Sequence, residues 1–195
     1  MSSIAFFWMY AAISPTFFRA AEKIDVFILD TDVLSNLRKE KKSPAVQAWV
    51  QTTAAADLAT TVITVAEIQC GIERQMPNQP NYAGETQRWL TSLLAVGGMN
   101  IIPLGIPAAM LLAKMHETAN LRNFLIADPR QKNTKTPADL AIASIAISEG
   151  AIVATGNVAH FEQIHEAYPL PGIYNPFKRK WVVRPTRDDS DTART

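Results

Sequence analysis

With 195 residues, 48% of them apolar and 19% charged, the chain can bury one sizeable core and gives no reason to expect several domains. Its formal net charge of +1 excludes a bulk electrostatic pull toward nucleic acid or membrane, although a local basic patch is compatible with it. A single cysteine, Cys70, excludes an internal disulfide and suits a reducing compartment such as the cytoplasm.

Residues 1–23 contain an apolar run, Ile4 to Ile13, that no Lys or Arg precedes and that Pro15 soon interrupts. A secretory signal wants a positive start, and a membrane span wants about 20 apolar residues. The stretch is read as an extension outside the core, with a weak signal peptide as the alternative and no membrane association. The domain is expected over residues 24–177. Val26-Phe-Ile-Leu29 is a predicted strand, and Asp32 to Lys39 a short helix. Ser43 and Pro44 signal a second helix through Trp49. Leu58 to Ile63, rich in Thr, Val and Ile, predicts another strand.

Thr64 then starts a helix in which Glu67 follows at capping-box spacing. Cys70 lies in this helix near Ile68 and Ile72, and the burial habit of free cysteine predicts packing rather than catalysis. A Pro/Asn-rich loop leads to a helix from Gly84 to Leu94, a strand from Asn100 to Leu104, and a long helix from Ile106 to about Phe124. Met110, Leu111, Leu112 and Met115 give that helix an apolar stripe, read as core. Residues 128–137 read as a loop, Ala138 to Ser148 as a small-residue helix, Ala151 to Ala154 as a strand, His160 to Tyr168 as a helix, and Pro169 to Tyr174 as a last edge strand. Residues 178–195, basic and then polar, are expected to be a disordered tail. Strands alternating with helices predict an α/β fold with a parallel sheet covered on both faces.

Three carboxylates occupy informative places. Asp30 ends the first strand, Glu67 falls in the first turn of the predicted helix after the second strand, and Asp139 in the first turn after Pro137. Acids in a first helical turn also cap free N–H groups and complement the macrodipole. In a parallel sheet, however, all three should face the same edge, where ligand sites are built. Acids crowded there need an offsetting cation. A hard, oxygen-seeking ion such as Mg²⁺ or Mn²⁺ fits, whereas three His and one Cys argue against zinc. His116, His160 and His165 show no ligand spacing with the acids and read as surface or helix-end residues. A bound metal that activates water against a phosphoryl group makes phosphodiester hydrolysis the leading chemistry.

The motifs resemble the PIN-domain family, and within it the VapC-type toxins of the FitB-like group. The resemblance rests on Phe27-Ile-Leu-Asp-Thr-Asp-Val-Leu-Ser-Asn-Leu-Arg38, on Glu67 followed by Gly71 and Ile72, on Pro137-Ala-Asp-Leu-Ala-Ile-Ala143, on Val153-Ala-Thr-Gly-Asn157 and on Tyr174-Asn-Pro-Phe177. It implies a three-layer α/β/α sandwich around a central parallel sheet. It also implies a Mg²⁺- or Mn²⁺-dependent endoribonuclease that acts as a toxin, is blocked by a small antitoxin protein and forms a homodimer. By the same resemblance Asp30, Glu67 and Asp139 hold the metal, and Asn157 is a weak ligand or a hydrogen-bond partner of metal-bound water. Thr155 orients a carboxylate or a water, or else shapes the turn. Arg38, Lys39, Lys41 and Lys42 either grip the RNA backbone or form a solvated helix end.

The chain departs from the group in three places and from the wider family in a fourth, Asn157, which the group often shares. Gly156 stands where Arg is common, Asn157 where the wider family often carries an acid, and His160 where Asp is usual. Asp32 replaces a usual Asn; it either adds charge to the site or caps the following helix, the second being preferred. Two other readings compete. Leu29-Asp-Thr-Asp-Val33 also resembles the opening motif of haloacid-dehalogenase-like phosphatases, whose late acidic pair would have to come from Asp188 and Asp189 in the tail. Alternatively, the altered fourth motif leaves a PIN-fold module that binds RNA or an antitoxin with little turnover.

Overall fold

The first strand, β1 (Phe27–Leu29), is a short apolar run whose side chains alternate between two cores. Ile28 packs into one and Leu29 into the other, as the period of two in a strand requires. The computed structural model describes residues 26–39, 41–95, 99–124 and 138–186. The expected N-terminal extension, the loop 128–137 and the polar end 187–195 lie outside these.

Around β1 the sheet is completed by β2 (Leu58–Thr61), β3 (Asn100–Ile102), β4 (Ile152–Ala154), β5 (Ile173–Asn175) and β6 (Lys180–Val183), in the order β3-β2-β1-β4-β5-β6. The first five strands run parallel, and β6 adds antiparallel to β5. Helices α1 (Thr31–Arg38), α2 (Pro44–Thr52), α3 (Val62–Gln75) and α4 (Pro80–Leu94) contribute to the core built on Leu29, Leu58 and Ile152. Helices α5 (Ile106–Glu117), α6 (Ala138–Glu149) and α7 (Val158–Ala167) contribute to the one built on Ile28, Val153 and Ile173. The predicted three-layer α/β/α sandwich is thus observed, with one antiparallel strand added at its edge.

Several boundaries differ from expectation. The second strand stops at Thr61, and Val62 and Ile63 belong to α3; β-branched residues read as strand, but the ladder with β3 ends at Thr61. The long helix breaks after Glu117, and a 3₁₀ segment covers Ala119–Phe124. Residues expected in the tail form β6, and β5 is therefore not the edge. The charge of Lys178, Arg179 and Lys180 hides the run Trp181-Val-Val183, and Trp181 packs edge-on against Tyr174 and tilted against Phe27, with ring centroids 5.1 and 5.9 Å away. The connecting turn is fixed by Asn175 Oδ1, which accepts the Lys178 N–H at 3.0 Å, and by Arg179 at φ 50°.

Cys70 is exposed rather than buried. It lies two residues from both Ile68 and Ile72, which places it about 200° around the helix from the face they bury. The stripe on α5 divides in the same way. Met115 is fully buried, whereas Met110 is 63% and Ile106 78% exposed, so the apolar run exceeds the width of the face the sheet can cover. Among the described residues, no helix is long and apolar enough to cross a membrane.

Candidate active site

The strand order reverses at β1, with β2 on one side and β4 on the other. In an open α/β sheet the crevice beyond the strands' carboxyl ends at such a point is the place for a ligand. Here the end of β1 supplies Asp30 and the end of β4 supplies Thr155, Gly156 and Asn157. Asp30 is tied to the neighbouring strand by its own N–H, which donates to Ala154 O at 3.0 Å.

Asp30 has extended backbone and is the N-cap of α1; its Oδ1 accepts the Thr31 N–H at 2.6 Å. Its Oδ2 accepts from the Thr155 hydroxyl at 2.7 Å, and Thr155 Oγ1 in turn accepts the Asn157 N–H at 2.9 Å. The Thr155 hydroxyl thus faces a carboxylate and braces the turn at the same time. Asp30 is only 4% exposed. Burial foremost, with the neighbouring Asp32 and Asp139 charges, raises its pKa from 3.8 to about 7, against the pull of the Thr155 and Thr31 hydrogen bonds.

Asp32 is not the cap it was expected to be. Because the strand ends at Leu29, the cap falls on Asp30, and Asp32 lies within the first turn of α1. Its Oδ2 reaches across the crevice to accept the Gly156 N–H at 2.8 Å, and its buried Oδ1 makes no hydrogen bond of good geometry. Burial raises its pKa, partly offset by the Gly156 and Val33 N–H groups. The bare backbone of Gly156 makes this contact possible. A Cβ there would stand 2.6 Å from Asp32 Oδ2 and 2.9 Å from the Phe177 ring, which also explains why a long side chain at this place is incompatible with the present arrangement. Gly156→Ala should destabilise the fold by about 1–3 kcal/mol, the usual range for overpacking, seen as a lower denaturant midpoint with unchanged slope.

Glu67 is also displaced from its expected place in the first turn. Thr61, not Thr64, caps α3, its side chain accepting the Thr64 N–H at 3.1 Å. Glu67 consequently lies in the second turn, beyond the free N–H groups, and no longer serves as a capping acid. Its Oε2 instead accepts from Thr31 Oγ1 at 2.5 Å. Burial, and then Asp139, raise its pKa, while the Thr31 hydroxyl opposes the rise.

Asp139 sits in the first turn of α6, as expected. Its Oδ2 accepts from Asn157 Nδ2 at 3.1 Å and lies 2.6 Å from His160 Nδ1, with the Asn157 amide and the His160 ring 2.8 Å apart. Asn157 makes no side-chain cap for α7; the cap is given up for Asp139. His160, expected to be a surface or helix-end residue, is thus part of the acidic centre, held edge-on against Phe124 at 5.3 Å between ring centroids. His165 does sit at a helix end, where its Nδ1 accepts the Leu170 N–H at 2.9 Å.

Asp30, Asp32 and Glu67 each feel the Asp139 charge, so the four acids share one electrostatic neighbourhood. Among the described residues, however, no three His, Cys, Asp or Glu side chains are closed on a common point in a set that could hold an ion as they stand. Glu67 is turned onto Thr31, and Asp139 onto Asn157 and His160. The donors nevertheless suit a hard divalent cation: all four acids offer oxygen, and Asp32 Oδ1 is buried without a well-formed hydrogen bond, a position that a cation would improve.

Of the basic residues, Arg38 stacks on the Tyr82 ring, its guanidinium carbon 4.4 Å from the centroid, and also donates to the Tyr82 hydroxyl. Lys39, Lys41 and Lys42 are exposed. Two participants were not expected in these roles, Thr31 and His160. Thr31 could have been found from its place between the paired acids of Asp-Thr-Asp. His160 was marked only by standing where the resembled group usually has Asp, and the 21 residues between it and Asp139 hide their contact.

A family model described as PIN domain matches residues 27–166. Ribonuclease VapC14 of Mycobacterium tuberculosis is 35% identical over 63 residues, 32% of this chain and 61% of that relative, so the chain spans under two thirds of its length. VapC ribonuclease Y4jK of Sinorhizobium fredii is 27% identical over 137 residues, 70% of this chain and 91% of the relative. The solved structure of FitAcB from Neisseria gonorrhoeae has a TM-score of 0.56 and 23% identity, covering 78% of this chain and 99% of that one; it shares the fold.

Proposed function

Because the chain belongs to the PIN-domain family, we propose that it is a divalent-metal-dependent endoribonuclease, the toxin of a toxin–antitoxin pair acting in the cytoplasm. The observation that carries this reading is Asp30, a carboxyl buried at the switch point of the sheet and raised to about 7 by burial and by Asp32 and Asp139. A carboxyl held at such cost among other acids points to function rather than packing. Two curated relatives named as VapC ribonucleases support the reaction class.

Asp30, Glu67 and Asp139 would hold a Mg²⁺ or Mn²⁺ ion, with Asp32 Oδ1 available beside them. When bound, the ion lowers the pKa of a coordinated water and offsets charge on the phosphoryl oxygens. The protein's own part is orientation. The Thr31 N–H and the Thr155 hydroxyl fix the two oxygens of Asp30, the Thr31 hydroxyl fixes Glu67, and Asn157 with His160 fixes Asp139. Supporting hydrogen bonds of this kind keep acidic side chains in a working geometry.

Antitoxin partnership follows the VapC likeness, and the exposed Ile106 and Met110 on α5 offer an apolar face for the homodimer. The engagement of Asp139 by His160 and Asn157 favours one rival, a module that binds RNA with little turnover. No observation favours the phosphatase-like reading, and Asp188 and Asp189 lie outside the described residues. The test is cleavage of end-labelled single-stranded RNA by the purified chain with Mg²⁺, Mn²⁺ or EDTA, beside calorimetry with Mn²⁺. Cleavage in metal and none in EDTA is expected. Metal and RNA binding without cleavage would transfer the case to the module, and cleavage that survives EDTA would refute the metal assignment.

A further inference from the structure

From the Thr31–Glu67 hydrogen bond a cleft of about 220 Å³ runs between α1, α3 and α4. Each wall is one stripe of a helix. Thr31, Ser35 and Arg38 line it from α1, and Tyr82, Thr86 and Trp89 from α4. The seven-residue step from Thr31 to Arg38 makes it about 10 Å long. Its floor on α3 holds Gly71, where an added Cβ would meet no atom within 4 Å. The absence of a side chain there leaves the cleft open.

We propose that this cleft is a subsite for an unpaired base of single-stranded RNA, stacked against Tyr82 and Trp89, with the adjoining phosphate at the Glu67 end. The proposal rests on the ribonuclease reading for its choice of ligand. Unpaired bases are recognised by stacking on aromatic rings and guanidinium planes, with hydrogen bonds to their edges. Arg38 stacked on Tyr82 at 4.4 Å provides both surfaces at one place. Gln75 and Ser35 bring edge-reading polar groups into the same cleft, and Lys39 beside Arg38 offers charge to the backbone phosphates. All three walls are helices, so no open strand edge is presented for an extended peptide; a helix of a protein partner laid along the groove is the rival occupant.

Binding is measured by fluorescence anisotropy in EDTA, so that cleavage does not intervene. The probes are a short unstructured oligoribonucleotide and the same ribose-phosphate backbone stripped of its bases. The parent should prefer the intact strand by about tenfold or more, the worth of one stacked base. Tyr82→Ala should erase most of that preference and Tyr82→Phe should keep it. Gly71→Leu, which fills the cleft where there is room, should erase it without loss of fold. Each variant should bind Mn²⁺ as the parent does. Equal binding of the two probes by the parent, or full preference retained in Gly71→Leu and Tyr82→Ala, overturns the subsite while leaving metal-dependent cleavage untouched. Variants that lose only the binding of a protein partner overturn it too. Base preference in a parent that never cleaves would uphold the subsite and sink the nuclease reading instead.

Discussion

Replacing Asp30 by Asn should lower RNA cleavage by at least a hundred- to a thousandfold, the loss that follows removal of one well-placed electrostatic group from a reaction centre. In the absence of metal, the same change should make the protein more stable at pH 7.5. The two effects share one cause. Ionised Asp30 is buried beside Asp32 and Asp139, and the rise of its pKa from 3.8 to about 7 is worth on the order of 4 kcal/mol against the folded state. Asn removes the charge and still caps α1 well. It cannot accept the Thr155 hydroxyl and the Thr31 N–H together, so part of the gain is lost. A net gain of about 1–3 kcal/mol remains, or roughly 3–10 °C in melting temperature for a chain of this size. Single-turnover cleavage and thermal melts of parent and variant in EDTA decide the matter. A variant that melts earlier and cuts at the parental rate would show that Asp30 is a structural cap and nothing more.

Such a trade of stability for a charged site is visible in the sequence only where local pattern carries it. Val26 to Leu29 is an apolar strand ending in an acid, and no other element is needed to see that Asp30 stands at the carboxyl end of a strand. The small-residue helix beginning near Asp139 is legible for a similar reason: Ala, Ile and Leu at nearly every place allow burial on all sides, and Ala138 to Ala146 is buried apart from Asp139. What failed was decided by boundaries and by distant contacts. Thr61 and Thr64 are equally good caps by composition, and the choice between them sets whether Glu67 is a capping acid or a second-turn acid facing Thr31. That choice belongs to the length of the ladder with β3, which Leu58 to Ile63 does not encode locally. Asp30 and Asp32 are likewise interchangeable as caps until the strand's last residue is known. His160 meets Asp139 only because α6 and α7 pack side by side, and no periodicity within either helix announces it.

The acids that depress stability also set how it should vary with pH. Asp30 has a folded pKa of about 7 against an unfolded value near 3.8, so between these values the unfolded chain is ionised while the folded chain keeps its proton. The folded state then binds more protons, and stability must fall as pH rises from about 4 to about 7. Below that window the penalty is absent; above it the penalty is complete. Asp32 and Glu67 are shifted in the same direction and deepen the fall. A divalent cation that binds the ionised acids should reverse it, adding about 2.7 kcal/mol at a hundred times its dissociation constant at pH 7.5. The gain should be far smaller at pH 5, where protons compete for the same oxygens. Melting curves from pH 4 to 8, with EDTA or with Mn²⁺, test both statements, and Asp30→Asn isolates the cause because its metal-free profile should be flatter than the parent's. A metal-free profile that rises toward pH 7, or a Mn²⁺ effect of equal size at pH 5 and 7.5, would mean that these carboxyls do not gather around one ion.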